Sequence, residues 1–467
     1  MQKLIPCKIP KRYVIVTMVF IGYVNFYYLH TNIGMAVVDM TSNKKITLQN
    51  GTIVMKPEYE WTSVQKALVI SSFAYGRFFG PLGAVFAGKI GGSTLYSLGV
   101  FGAAVVTFCM PLCLYVNFYL FVLGSALAGG FEACAYASVS QLWSRWAPPD
   151  ERAKCISFSV IGIYGGSIVS FLLSGWILQE WGWAVLFYAS GLATLVWFWI
   201  WFLVVKNDPS EDLRMSQEER NYIKDKINDD SKTKSLVYPW KDMLTCVPLW
   251  MGCLCKFSIG AGYTFTMMYL PQYIKDTNDI DIKEIGYFSL IPQICSVISM
   301  PLGGYIFDRV RSNKTLSLTN AHKLYACLGL FSGTLAFSVT GLWPNFIACI
   351  ICLSLFQFFS TCTILGIQIL VLDLAPRYAA FMNSITNSSF TISSILTPVG
   401  VGFVVTSHSQ LQWSFCFIIF SALFAVIGLL YAKFASVELQ FWANYSAERE
   451  KCQDAKTNGK LPQSICP

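Results

Sequence analysis

Charge is scarce in this chain. Asp, Glu, Lys and Arg make up 13% of its 467 residues, about half the share usual in soluble domains. That shortage excludes an ordinary water-soluble globule. No Asp, Glu, Lys or Arg stands between Lys323 and Asp373, or between Arg377 and Lys433. Each gap has room for two membrane spans of about 20 residues. Hydrolytic motifs and a nucleotide-binding P-loop are also missing, so neither an enzyme nor a nucleotide-driven pump is expected. Nor is a metal site or a cofactor. A cleavable leader is not expected either, because the first apolar stretch is too long and lacks a small-residue cleavage site.

What is present is apolar. Hydrophobic residues form 54% of the chain, and the mean hydropathy is +0.51. The 16 cysteines are scattered, mostly within apolar stretches, and read as small packing groups. Twelve spans are predicted, at about 13–38, 65–87, 94–114, 118–142, 155–177, 184–205, 248–274, 284–306, 323–342, 346–371, 379–405 and 413–434. With a cytoplasmic N-terminus, 26 of the 34 Lys and Arg fall inside, 6 outside and 2 within spans. This bias satisfies the positive-inside rule with both termini cytoplasmic. The net charge of +8 is thereby read as membrane topology, and no nucleic-acid partner is expected.

The longest polar interruption, Lys206 to Met243, follows the sixth span. Within it, Ser216-Gln217-Glu218-Glu219 reads as a capping box opening a short helix through Ile227. The chain divides into an N-terminal six-helix half at 1–205, a cytoplasmic linker at 206–247, a C-terminal six-helix half at 248–434 and a cytoplasmic tail at 435–467. The expected fold class is all-α, with twelve transmembrane helices in the two-halved arrangement of major facilitator transporters. Gly303-Gly304-Tyr305-Ile306-Phe307-Asp308-Arg309 follows the eighth span. Its glycines permit close helix approach, and Asp308 and Arg309 suit a cytoplasmic gate. Charges that merely set topology are the plainer alternative. Asn50-Gly51-Thr52 is a glycosylation sequon in the first outside loop.

Trp143-Ser144-Arg145-Trp146-Ala147-Pro148-Pro149-Asp150-Glu151-Arg152 resembles a loop motif of the sialin, vesicular glutamate transporter and type I phosphate cotransporter family. Further matches run in order along nearly the whole chain. They are Asn32 and Val38-Asp39-Met40, Trp183 with Val185-Leu186-Phe187-Tyr188, Tyr263-Thr264-Phe265, Leu372 to Ala379, and Gln440-Phe441-Trp442-Ala443. The resemblance implies the major facilitator fold and transport of organic or inorganic anions coupled to protons, sodium or membrane potential. It also implies a plasma, lysosomal or vesicular membrane. The departures bear on the substrate. Arginines that relatives carry in spans one, four and seven are replaced here by His30, Ser125 and Ala261, and histidines by Ile70 and Val371.

Arg77 lies in the second span, in Ser71-Ser72-Phe73-Ala74-Tyr75-Gly76-Arg77, where the resemblance puts a cavity-facing tyrosine. It is 12 residues from Lys89, or about 18 Å along a helix, too deep for easy snorkelling. A charge there costs at least about 2.5–3.5 kcal/mol, so it needs a partner or a wet cavity. Glu132, mid-way along span four, is the natural partner, and it matches a family glutamate. Tyr136 is one turn further along and matches a family substrate-site tyrosine.

The expected site is therefore a relocated cationic one. Arg77 is its fixed charge, His30 a titratable one, Asn32 and Tyr136 hydrogen-bond donors, and Glu132 the coupling group. Arg77 and Glu132 as a purely structural ion pair remain open as an alternative. Lys256, the other embedded charge, reads either as snorkelling or as contacting substrate. Asn383, Asn387 and Thr391 share one face of span eleven and could line the cavity or bond neighbouring helices. The expected activity is secondary transport of a small anion by alternating access, coupled to H+ or Na+, by a monomer. A neutral or zwitterionic solute, and a non-transporting sensor or scaffold, stay open.

Overall fold

A computed structural model describes residues 10–47, 53–78, 90–212, 214–227, 240–278, 280–312, 317–374, 379–407 and 409–436. The first six spans are α1 (Lys11–Thr41), α2 (Ser63–Arg77), α3 (Gly92–Val116), α4 (Phe118–Trp146), α5 (Pro149–Trp181) and α6 (Trp183–Val204). The linker contributes α7 (Gln217–Ile227) and α8 (Trp240–Leu244). The second set comprises α9 (Val247–Met268), α10 (Leu270–Thr277), α11 (Ile282–Ser312), α12 (Leu318–Leu342), α13 (Phe346–Leu374), α14 (Ala379–Val404) and α15 (Gln410–Phe434). Among the described residues, nine helices are long and apolar enough to cross a membrane. We call the side where α1 starts and α15 ends the terminal face, and the other the hairpin face.

Local chemistry sets the helix boundaries. Thr62 and Gln65 form a reciprocal capping box at α2, and the Asn117 side chain accepts from the Tyr119 N–H to open α4. Gly182, at φ 79°, supplies the left-handed residue that lets α5 turn directly into α6.

Two features differ from the sequence reading. The loop between α1 and α2 carries an antiparallel pair, β1 (Asn43–Thr47) and β2 (Ile53–Pro57), with Lys45 opposite Met55, a detail added to an otherwise helical fold. The seventh span is also not one helix. Pro271 lacks a donor and its ring crowds the preceding turn, so α9 stops at Met268 and α10 restarts at Leu270.

Each half has its own aromatic core. In the first half Tyr96 packs against Trp201 at a centroid distance of 4.8 Å and against Phe26 at 6.0 Å. In the second, Phe265 sits 5.1 Å from both Phe417 and Phe420.

The halves meet at the hairpin face. Gly402 of α14 abuts Ala67 and the Ser63 backbone of α2, and the Ser63 hydroxyl donates to the Thr406 carbonyl at 3.3 Å. Gly286 of α11 lies on the Phe171 carbonyl of α5, and Gly175 of α5 on Ile282 and Lys283. Trp413 donates to Asp276 at 3.1 Å, clasping α10 to α15 beside this seam.

On the terminal face the linker docks onto the first half. Ser216 caps α7 through the Glu219 N–H at 3.2 Å, but the Glu219 carboxylate turns away. It accepts the N–H groups of Lys11 at 2.8 Å and Arg12 at 3.1 Å, capping α1 from a distance. Lys11 pairs with Asp212 at 3.2 Å and Arg12 with Glu151 at 2.9 Å. Trp143 and Trp146 of the loop motif are buried, and the Trp146 indole donates to the Lys206 carbonyl at 3.1 Å.

Candidate functional site

Contact between α2 and α4 at backbone distance sets the site. A Cβ at Gly76 would collide with the Ala126 carbonyl and the Gly130 amide, and one at Gly129 with the Phe73 carbonyl. Only a residue without a side chain fits at either position. The residue after Gly76 is Arg77, and the third after Gly129 is Glu132, so this contact brings the two charges face to face.

Arg77 Nη2 donates to Glu132 Oε1 at 2.9 Å and to the Tyr27 hydroxyl at 3.1 Å. The guanidinium also lies over the Tyr27 ring, 5.6 Å from its centroid. The Arg77 side chain keeps 18% of its surface, while that of Glu132 keeps 2%. Glu132 Oε2 is buried and has no hydrogen-bond partner among the described residues. One carboxylate oxygen is thus engaged, and the other is free to take a proton.

His30 stacks on Phe73 at 4.5 Å, nearly parallel at 6°, within electrostatic reach of Arg77. Its Nδ1 is buried without a hydrogen-bond partner among the described residues. Tyr136 packs on Tyr23 at 5.7 Å and is 41% exposed. Asn32 sits apart from this group. It is fully buried between α1 and α5, where its Oδ1 accepts from the Ser170 hydroxyl at 2.9 Å. The structure therefore gathers Arg77, Glu132, His30 and Tyr136, and sets Asn32 as an interhelical clasp.

Of the gate residues, Arg309 donates to the Tyr305 hydroxyl at 3.1 Å. The Asp308 side chain and Asn50 lie outside the described residues. Among the described residues no cluster of His, Cys, Asp and Glu could hold a metal ion.

The sequence reading missed two features. Tyr27 is Arg77's second partner, and only its position three residues before His30, on the same helix face, hinted at that. Lys256 does not snorkel. It is 2% exposed, and its ammonium donates to Asn383 Oδ1 at 3.1 Å and Asn387 Oδ1 at 2.6 Å. The i, i+4 spacing of those asparagines was the available signal.

A two-halved bundle of membrane-crossing helices with charges buried inside each half is the architecture of a secondary transporter, not of an enzyme. Residues 19–333 match the Major Facilitator Superfamily model. Vesicular glutamate transporter 3 of Danio rerio is 30% identical, over 95% of this chain and 76% of that protein. Vesicular glutamate transporter 2 of Homo sapiens is 28% identical, over 95% and 77%. Among solved structures, an inward-facing, occupied bacterial homologue of the human lysosomal transporter Spinster superposes with a TM-score of 0.70. It is 12% identical and covers 92% of this chain and 98% of its own. The inward-open xylose transporter XylE of E. coli gives 0.68 at 14% identity, over 91% and 97%.

The chain belongs to the Major Facilitator Superfamily, and within it to the type I sodium-phosphate cotransporter family that contains the vesicular glutamate transporters. It is a multi-pass membrane protein and a secondary active transporter that works by alternating access.

Proposed function

We propose that the transported solute is a small organic or inorganic anion and that the coupling ion is a proton. The observation that carries this reading is the Arg77–Glu132 pair, joined at 2.9 Å through one carboxylate oxygen while the other has no hydrogen-bond partner among the described residues. A guanidinium offers parallel donors to a carboxylate or phosphate. An anion arriving at Arg77 competes with Glu132. Once displaced, the buried carboxylate has lost its counter-charge, and the neutral acid becomes the favoured form. Anion binding and proton uptake are then linked at one residue pair. His30, Tyr136 and Tyr27 surround the pair and furnish polar contacts, with Asn32 holding α1 in register. Sodium coupling is the second reading, supported by the names of the family alone.

The basic residues concentrated on the terminal face support a cytoplasmic location for both chain ends. The named relatives favour a vesicular or lysosomal membrane over the plasma membrane. Asp308 and Arg309 would close the terminal face in the opposite state. A monomer suffices for this mechanism, as both halves of the site lie in one chain.

The test is uptake by proteoliposomes holding the full chain, with radiolabelled phosphate, L-glutamate and D-xylose, with and without a proton gradient. Gradient-dependent uptake of an anion, competed by other anions, is expected. Uptake of xylose alone assigns the protein a neutral solute, and uptake of neither phosphate nor L-glutamate counts against the anion reading.

A further inference from the structure

The two embedded cations are not equivalent. Arg77 has a carboxylate partner. Lys256, in the second half, contacts none among the described residues, and its only hydrogen bonds run to two neutral amides. A desolvated ammonium without a counter-charge is costly, and amide oxygens offset that cost only in part. In a bundle built for transport, such an excess charge is where a mobile anion gains most.

The amides sharpen this. An ammonium has no acceptor, so both Asn383 and Asn387 must turn their Oδ1 atoms toward Lys256. Each Nδ2 group is then aimed elsewhere, and among the described residues neither makes a hydrogen bond. Both asparagines are half-buried while Lys256 is buried. Among the described residues the two amides thus leave their N–H donors uncommitted, polarised by the cation that their oxygens hold.

Close packing of α9 on α14 continues beyond this arrangement. Gly260 abuts Phe390 and Ser393, and the Thr264 and Ser394 hydroxyls lie 2.9 Å apart. Along α9, Tyr263 is within electrostatic reach of Arg77. Lys256 is seven residues from Tyr263 on the same face, or about 10 Å closer to the terminal face.

We infer that Lys256, Asn383 and Asn387 form an anion seat in the C-terminal half, distinct from the Arg77 site, that takes a carboxylate or phosphate group. The inference rests on the anion-carrier reading above. The seat gives the solute a hold on the second half, so that binding can draw the halves together. It lies off the position where relatives carry their span-seven arginine, which is Ala261 here.

The decisive variants are Asn387→Asp and Asn383→Asp. Each conserves shape and supplies Lys256 with an internal counter-ion. In nanodiscs holding the full chain, equilibrium binding of radiolabelled phosphate and L-glutamate is measured beside thermal unfolding. We expect equal or higher thermal stability, and affinity for the bound probe lower by about ten- to a hundredfold, as for loss of a charged hydrogen-bonding site. Lys256→Met should lower affinity by a similar factor.

Unchanged affinity in both Asp variants overturns the seat while leaving the anion reading intact. A clear loss of stability in both Asp variants also overturns it, because an uncompensated ammonium should welcome a carboxylate. Binding of neither probe by the wild-type protein removes the seat and the anion reading together.

Discussion

Arg77→Gln and Glu132→Gln should differ in kind, because only one of the two residues can discard its charge. Without Arg77, Glu132 is a carboxyl with 2% side-chain exposure and no counter-charge, and it folds most easily as the neutral acid. Holding a carboxyl neutral costs about 1.36 kcal/mol for each pH unit above its ordinary value near 4.3. The destabilisation of Arg77→Gln should therefore grow from pH 5 to pH 7, by at most about 1.36 kcal/mol per pH unit. The sign follows from linkage. The unfolded chain releases the proton first, so stability is greatest at low pH and falls as pH rises.

Glu132→Gln leaves a guanidinium that does not deprotonate. It keeps the Tyr27 hydroxyl at 3.1 Å and an amide oxygen in place of the carboxylate, so its cost, about 2 kcal/mol, should not vary with pH. The double variant should be less destabilised than the sum of the two at pH 7, and likewise flat with pH. Thermal unfolding of all four proteins in nanodiscs at pH 5, 6 and 7 reads this directly. An Arg77→Gln protein equally stable at pH 5 and pH 7 would refute the buried-pair reasoning.

Other expectations follow from the packing. Gly76→Val should abolish monodisperse folded protein on size exclusion, since the added side chain collides with Ala126 and Gly130 backbone atoms; a well-behaved Gly76→Val protein would contradict the α2–α4 contact. Glu219→Gln should weaken the cap on α1 by about 1 kcal/mol per impaired hydrogen bond and speed proteolysis within the linker, with an unchanged cleavage rate as the contrary result. Gly402→Trp should hold the hairpin-face seam open, because the wild-type glycine abuts Ala67 and the Ser63 backbone. Uptake should be lost, and a cysteine at Ser63 should become more reactive to a membrane-impermeant thiol reagent in the Gly402→Trp background; unchanged uptake and reactivity would count against that seam.

The spans were legible because a bilayer demands about 20 apolar residues per crossing, and every described spanning helix lies on one that the sequence predicts. The α7 start was legible because a capping box is local: Ser216 and Glu219 are three residues apart. What Glu219 does with its carboxylate was not, since its partners Lys11 and Arg12 are 208 and 207 residues away. The break at Pro271 could have been read from proline's missing donor, but a long apolar run concealed it. At the site, Arg77 and Glu132 declared themselves as charges without local partners. The Lys256 arrangement stayed hidden because a lysine near a helix end has a plausible escape to the headgroups. Only the packing of α9 on α14 shows that the ammonium turns inward to Asn383 and Asn387.

Coupling at Glu132 is the central claim, and solute counterflow measured beside proton-driven accumulation in proteoliposomes tests it most directly. For an anion that the wild-type protein accumulates, we expect Glu132→Gln to retain exchange across the membrane and to lose accumulation driven by a proton gradient. A Glu132→Gln protein that still concentrates the anion in response to that gradient, to the wild-type level, would contradict the claim.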